Sequence, residues 1–233
     1  MNAPFFGKRI VVFTAHPDDE GLAAGTMYEN HRAGGETFLF CATYGEKGKS
    51  HLKKPVTDAA LKKIRKAELL SAAKVLHIDH VIFLGLPDAG VKEHVSELYK
   101  KSLPLIKKIK PYAILGFGPD GVSAHWDHIT AGKVALRIAR ALKTPFYAFT
   151  LGPQAIRLRA RGDFFLKRRK FGRYAGIPSH RQGDVKIKVD MAIKRRAMKH
   201  HRSQFPSGTP FAALPKRMAS AMFRYEHFVK EKM

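Results

Sequence analysis

Acidic residues are scarce in this chain of 233 residues: 19 Asp+Glu stand against 43 Lys+Arg, a formal net charge of +24. That imbalance predicts attraction to phosphates, carboxylates, nucleic acid or anionic surfaces without choosing among them. Cysteine is nearly absent. Cys41 stands alone, which excludes an internal disulfide framework and a Cys-rich zinc site. No apolar run approaches the ~18–20 residues that span a bilayer. The short apolar run Ile10–Phe13 follows Met1 too closely, and is too strand-like, for a signal peptide. These absences predict a soluble, cytoplasmic protein. Hydrophobic residues make up 45% of the chain and aromatics 10%, enough for one substantial core and inconsistent with global disorder.

Short apolar runs alternate with helical periodicity over the first two thirds. Strands are predicted at Ile10–Ala15, Thr37–Thr43, His80–Leu84, Ala113–Phe117 and Phe146–Thr150. Helices are predicted near Leu22–Arg32, from a cap at Asp58 to about Ile78, over Glu93–Lys110 with Pro104 kinking or dividing it, and over Asp127–Leu142. This alternation implies an α/β fold: a Rossmann-like, open, mostly parallel sheet with helices on both faces. No linker divides the chain, so residues 1–233 read as one domain with a core at about 8–150 and a basic C-terminal extension, 151–233, packed on it. That extension holds eight basic residues and one acid between Gln154 and Arg173, interleaved with Phe164, Phe165 and Phe171. It also carries a short strand at Val185–Val189, a helix near Asp190–His201 and a helical segment from Leu214.

Two polar clusters follow predicted strands. Ala15-His16-Pro17-Asp18-Asp19-Glu20 closes the first, and His125-Trp126-Asp127-His128 follows the fourth. In a strand order of the 3-2-1-4-5 kind these clusters face each other across one crevice, where open α/β sheets bind ligands. Two imidazoles and a carboxylate form a common catalytic Zn²⁺ shell with one position left to water. A neighbouring carboxylate can then take a proton from that water. Taken singly, each cluster also fits a plain structural part, with Asp18 or Asp19 favouring the N-terminus of the next helix.

The first of these motifs resembles the N-terminal signature of the LmbE/PIG-L family of metal-dependent N-acetylglucosaminide deacetylases. The second is similar to that family's His-Pro-Asp-His element. Further echoes are Thr43-Tyr44-Gly45-Glu46, Arg65–Leu69, Leu86–Gly90, Lys110-Pro111 and Lys194…Ala197…His201-Arg202-Ser203-Gln204, covering about residues 8–205. The resemblance implies that His16, Asp19 and His128 ligate Zn²⁺, with Fe²⁺ as the alternative, and that Asp18 is the general base. It assigns His125 to the oxyanion or to the departing amine. It implies hydrolysis of the acetamide of an N-acetylated amino sugar, a small glycoside or glycoconjugate, releasing acetate and a free amine. Glu20 and Asp127 would support the shell, although Glu20 equally suits a helix N-terminus. Arg65 and Asp88 fall where relatives hold the sugar or its aglycone; for Arg65 a solvated helix face is the competing reading. Trp126 replaces the usual Pro and could stack on a sugar or merely pack. Ser123 stands where one branch of the family has Tyr, and the role of His201 is open. Relatives often assemble as homo-oligomers.

The charge suggests an anionic aglycone gripped by Arg65 and the Arg157–Arg173 stretch. A different class of function is a nucleic-acid or anionic-surface binding module, with the three phenylalanines stacking on single strands. A phosphoesterase is a further reading, disfavoured in its two-metal form by the lack of bridging carboxylates. Cys41, inside an apolar strand run, reads as an inert buried thiol.

Overall fold

A computed structural model describes residues 3–160, 183–205 and 223–232. Its sheet is built on β1 (Ile10–Thr14), whose five residues are all buried. A β-branched and aromatic run with no polar alternation can only sit where both faces are covered, and it does. β1 pairs in parallel with β2 (Thr37–Cys41) on one side and with β4 (Ala113–Phe117) on the other. β3 (His80–Phe83) extends the sheet beyond β2, and β5 (Phe146–Thr150) extends it beyond β4, both parallel. The core order 3-2-1-4-5 is the one expected.

The chain runs outward from β1 to β3 and then returns to β4 on the opposite side. With right-handed crossovers, that reversal puts α1 (Ala24–Arg32) and α2 (Asp58–Val75) on one face of the sheet. It puts α3 (Val95–Ile109) and α4 (Trp126–Ala141) on the other. The contacts agree: α3 packs on α4, while α1 and α2 both pack on α6 (Met191–Met198). The switch point falls between β1 and β4, so their carboxyl ends open the crevice in which a ligand belongs.

Local details differ from the sequence reading. Thr57, rather than Asp58, caps α2, its hydroxyl accepting from the Ala60 amide at 3.2 Å. Pro104 lies inside α3 without dividing it. After β5 come α5 (Pro153–Ala160), the anticipated strand β6 (Val185–Lys188) and an unanticipated β7 (Tyr225–Lys230). β7 runs antiparallel between β5 and β6 and completes a seven-stranded sheet. Phe228 of β7 is fully buried and meets Phe5 edge-on at 6.1 Å, so the C-terminal strand shares the core of the N-terminal half. The cationic tract 161–173, with its three phenylalanines, and the helical segment expected from Leu214 lie outside the described residues.

Candidate metal centre

The turn after β1 builds the first half of the site. Ala15 and His16 both donate their backbone N–H to Asp19 Oδ2, at 3.1 and 2.7 Å. This clamp closes the chain into a short 3₁₀ turn, Asp19–Leu22, and leaves Oδ1 facing His128 Nε2 at 3.2 Å. To make the turn Asp18 takes φ 111°, a left-handed conformation that a residue with a Cβ adopts only when held there. Glu20 helps to hold it: its Oε2 accepts the Asp18 N–H at 2.8 Å.

The second half comes from the start of α4. His125 is the N-cap, its Nδ1 accepting the Asp127 N–H at 3.2 Å. His128, one turn in, stacks on Phe117 at 4.1 Å. Its Nδ1 lies 3.0 Å from Gly121 O and 2.9 Å from Ser123 Oγ.

Proton placement follows from these partners. His16 Nε2 lies 3.1 Å from Asp127 Oδ2 and 3.1 Å from Asp88 Oδ1, so that nitrogen carries hydrogen. His128 Nδ1 faces a carbonyl and carries hydrogen too. Their remaining nitrogens, His16 Nδ1 and His128 Nε2, are therefore lone pairs aimed at each other 3.1 Å apart. Asp19 adds anionic oxygens 3.2 Å from one and 3.5 Å from the other. Two lone pairs and a carboxylate this close, Oδ1 near His128 and Oδ2 near His16, repel unless a cation or a proton sits among them. Tetrahedral bonds of about 2.0–2.1 Å would separate ligand atoms by about 3.3–3.4 Å, so the spacing suits a metal of zinc's size. Each imidazole is also oriented by a hydrogen bond through its other nitrogen, as metal-ligating histidines usually are.

His16, His125 and His128 also place nitrogens within 4.8 Å of one another, and His16, Asp88 and Asp127 form a second such group. The second set is less suited to a cation. Asp127 already accepts the Ala89 and Val91 amides, at 2.8 and 3.1 Å, and Asp88 accepts the Lys47 amide at 2.7 Å.

The ionisation pattern matches this division. Burial alone would lower the His16 pKa, but hydrogen bonds to Asp127, Asp19 and Asp88 raise it well above normal; without a metal, a proton is drawn to the crowded centre. Burial would push Asp19 up, yet His128 and His16 hold it well below the usual carboxylate range. Asp18 goes the other way. Burial raises it to about 6 although Arg65 opposes the shift. Burial, with His16 and His128 nearby, lowers His125 to about 4.

Arg65 departs from the solvated-face reading of the sequence. It is 3% exposed, not on a solvated face. Its guanidinium lies 3.1 Å from Asp18 Oδ2 and donates to the Gly45 and Pro17 carbonyls. A Cβ at Gly45, where φ is +71°, would overlap that guanidinium, which accounts for glycine there. Asp88 points at His16 and the Lys47 amide. Trp126, at the first turn of α4, is half-buried with Lys92 Nζ 5.9 Å from its ring. Cys41 is fully buried, and burial raises its thiol pKa well above normal.

Gly121 carries no signal in the sequence, Ser123 is marked there only as a departure from a family Tyr, and Glu68 only as part of the Arg65–Leu69 echo. The last accepts the Ser203 amide and hydroxyl at 2.8 and 2.6 Å. Its partner Ser203 lies in the last of the family echoes, the one ending in Ser203-Gln204.

This chain resembles known proteins to different depths. A 1D-myo-inositol 2-acetamido-2-deoxy-alpha-D-glucopyranoside deacetylase of Streptomyces avermitilis is 27% identical over 270 residues, covering 95% of this chain and 91% of that protein. A probable N-acetyl-alpha-D-glucosaminyl L-malate deacetylase 2 of Bacillus subtilis is 30% identical over 137 residues, 56% of this chain and 60% of its own. Among solved structures, N,N'-diacetylchitobiose deacetylase from Pyrococcus horikoshii superposes with TM-score 0.68 at 17% identity, over 97% of this chain and 84% of that one. The 4-carboxy-2-hydroxymuconate hydratase GalB of Pseudomonas putida superposes with TM-score 0.65 at 18% identity, over 97% of this chain and 96% of that one. Fold alone therefore accommodates more than one chemistry. The family profile described as "PIG-L: GlcNAc-PI de-N-acetylase" matches residues 11–139, the stretch that contains both halves of the centre, and the chain belongs to the PIG-L family of de-N-acetylases.

Proposed function

We propose that this protein hydrolyses the acetamide of an N-acetylglucosaminide-type glycoside or glycoconjugate, using a divalent cation held by His16, Asp19 and His128. The observation that supports this most directly is the convergence of His16 Nδ1, His128 Nε2 and the Asp19 carboxylate within 3.1–3.5 Å, with Asp18 alongside. Zn²⁺ suits the two-imidazole, one-carboxylate set; Fe²⁺ is the alternative that this donor set also accepts. When bound, such a cation polarises a carbonyl and makes water a better acid.

The remaining work falls to the chain. Asp18, with its pKa near 6, is mostly ionised at neutral pH yet basic enough to take the proton of the attacking water. Arg65 fixes that carboxylate in direction through its contact with Oδ2. His125 is neutral at pH 7, and because its Nδ1 accepts from Asp127, its hydrogen sits on Nε2. That N–H can stabilise the oxyanion of the tetrahedral adduct. Protonation of the departing amine by His125 itself fits less well, since the imidazolium is scarce. The proton gathered by Asp18 is the natural one to return to the amine. Asp127 and Asp88 keep His16 in the tautomer whose Nδ1 is free to ligate.

The binding-module alternative depends on the aromatic and basic tract at 154–173, most of which lies outside the described residues. An anionic aglycone loses one of its expected contacts, because Arg65 is occupied with Asp18. No helix of the described residues is long and apolar enough to cross a membrane.

The test combines elemental analysis of purified protein with acetate release from a panel of N-acetylglucosaminides. Bound Zn²⁺ or Fe²⁺ with acetate release is the expected result. Protein that binds neither metal, or that carries metal and releases no acetate from any acetamide, would overturn the assignment.

A further inference from the structure

Resting on that reading, we propose that His201 is a positioning residue for the base Asp18, acting through Glu20. His201 comes from the turn after α6, some 180 residues from the site it touches, and is fully buried. Its Nε2 donates to Glu20 Oε1, and Glu20 Oε2 accepts the Asp18 N–H at 2.8 Å. Its Nδ1 is buried with no partner among the described residues. Among the described residues, Glu20 is the one hydrogen-bond partner of this imidazole. A buried histidine used only for packing would be better replaced by a hydrophobe, since desolvating a polar pair costs more than it returns unless the pair fixes something.

What it fixes is visible in the backbone. Asp18 sits at φ 111°, and the Glu20 carboxylate is the acceptor that holds its amide there. Glu20 is 1% exposed, so its own direction depends on the donor behind it. Release of His201 would leave a buried carboxylate free to turn, and the Asp18 peptide with it.

The same turn reaches the site from a second direction. Ser203 grips Glu68 on α2, one turn beyond Arg65, and Arg65 holds the Asp18 side chain. The Ser203 carbonyl accepts the His51 amide at 2.8 Å, tying down the loop before α2. Residues 201–203 thus brace both the backbone and the side chain of Asp18, through Glu20 and through Glu68 on the helix of Arg65. Misplacement of a reacting group by about 1 Å can cost about a hundredfold in rate.

The experiment compares His201→Leu, which removes the donor, with His201→Gln, whose amide nitrogen can take the place of Nε2. N-acetyl-D-glucosamine is the probe, read by acetate release, alongside metal content and hydrogen exchange of residues 16–22. His201→Leu is expected to lower kcat about 30- to 100-fold with KM and metal content near wild type. Exchange at 16–22 should quicken. His201→Gln should recover kcat to within about fivefold. Placed in an Asp18→Asn background, His201→Leu should add little, because the group it positions is already gone.

Equal losses in both backgrounds, a Gln variant as poor as Leu, or a fall explained by lost metal would overturn the proposal. If His201→Leu does not fold, His201→Asn, polar but too short to reach Glu20, takes its place with the same expectation. Should the wild type release no acetate from this probe or from any of the N-acetylglucosaminide panel, the deacetylase reading fails by itself. The exchange comparison still decides the positioning role: unchanged exchange at 16–22 in the Leu or Asn variant refutes it.

Discussion

Asp18→Asn separates catalysis from stability, because the fold penalises the charge that the chemistry needs. The free carboxyl titrates at 3.8 and the folded one at about 6, burial being the main cause and Arg65 a partial offset. The sign is set by the order of ionisation. Above pH 4 the unfolded chain gives up this proton while the folded chain retains it. The metal-free protein therefore loses stability as pH rises from about 4 to about 6, and carries the full penalty above that. A difference of about two units corresponds to about 3 kcal/mol. Asparagine keeps the shape and removes the charge. Metal-free Asp18→Asn should then be more stable than wild type at pH 7 by up to about 3 kcal/mol, or about 6–12 °C in Tm for a chain of this size. Near pH 4 the two proteins should melt together. The same variant should keep its metal and lose about 10²- to 10⁴-fold in kcat, the usual worth of a positioned base. The assay is a pair of thermal melts in chelator at pH 4 and pH 7, with acetate release measured on metal-loaded protein. A variant that melts below wild type at pH 7, or keeps more than a tenth of wild-type kcat, refutes the reasoning.

His128→Ala removes one of three ligand atoms and the lone pair opposing His16 Nδ1, so metal and turnover should disappear together; full metal content by elemental analysis would show the ligand assignment to be wrong. Chelating the wild-type protein, if metal had been present at about 100 times its Kd, should lower Tm by about 5–11 °C, and an unmoved melt would mean that the centre is not metal-stabilised. Lys194→Met strands the buried carboxylate of Glu226, which now bonds Lys194 Nζ at 2.7 Å and the Gly25 and Thr26 amides at the start of α1. A cost of about 3–5 kcal/mol is expected, read as a Tm loss of about 10 °C, and a change within 2 °C would contradict it. Gly132→Ala puts a Cβ into Phe117 O, where α4 crosses β4. Backing α4 away should cost about 1–3 kcal/mol and loosen His125 and His128 together, so a variant with unchanged Tm and kcat would show that this close approach is not needed.

The parts of the molecule that could be read from the sequence are those whose cause is local. Ile10–Phe13 is apolar at every position, and only a doubly covered strand tolerates that. Alternation pointed to a doubly wound sheet; the order 3-2-1-4-5, supposed as one common arrangement of that kind, places His16 and His128 on one crevice, and the sheet has it. Tautomer choice could not be read in the same way, because it depends on what lies behind each ring. Asp88 behind His16 and Gly121 behind His128 are 72 and 7 residues away, and no periodicity connects them. Arg65 failed for a related reason. Lys62, Lys63 and Lys66 around it suggest a wet helix face, but the side chain reaches inward across Gly45 to meet a carboxylate.

β7 marks the limit most clearly. Tyr225–Lys230 has strand character, yet its place between β5 and β6 depends on contacts with residues more than 200 positions earlier. Glu226 shows why it belongs there. A carboxylate at the start of a helix is favourable, and here the acid that meets the Gly25 and Thr26 amides comes from the far end of the chain, neutralised by Lys194 of α6. The same α6 delivers His201 to Glu20 at its other end. One C-terminal helix thus ties the last strand to α1 through Lys194 and ties itself to the base loop through His201. The motif that announces the site is local, but part of the scaffold that holds the Asp18 turn comes from the C-terminal third. Truncation before α6 should therefore disable the centre even though each candidate metal ligand lies before residue 130.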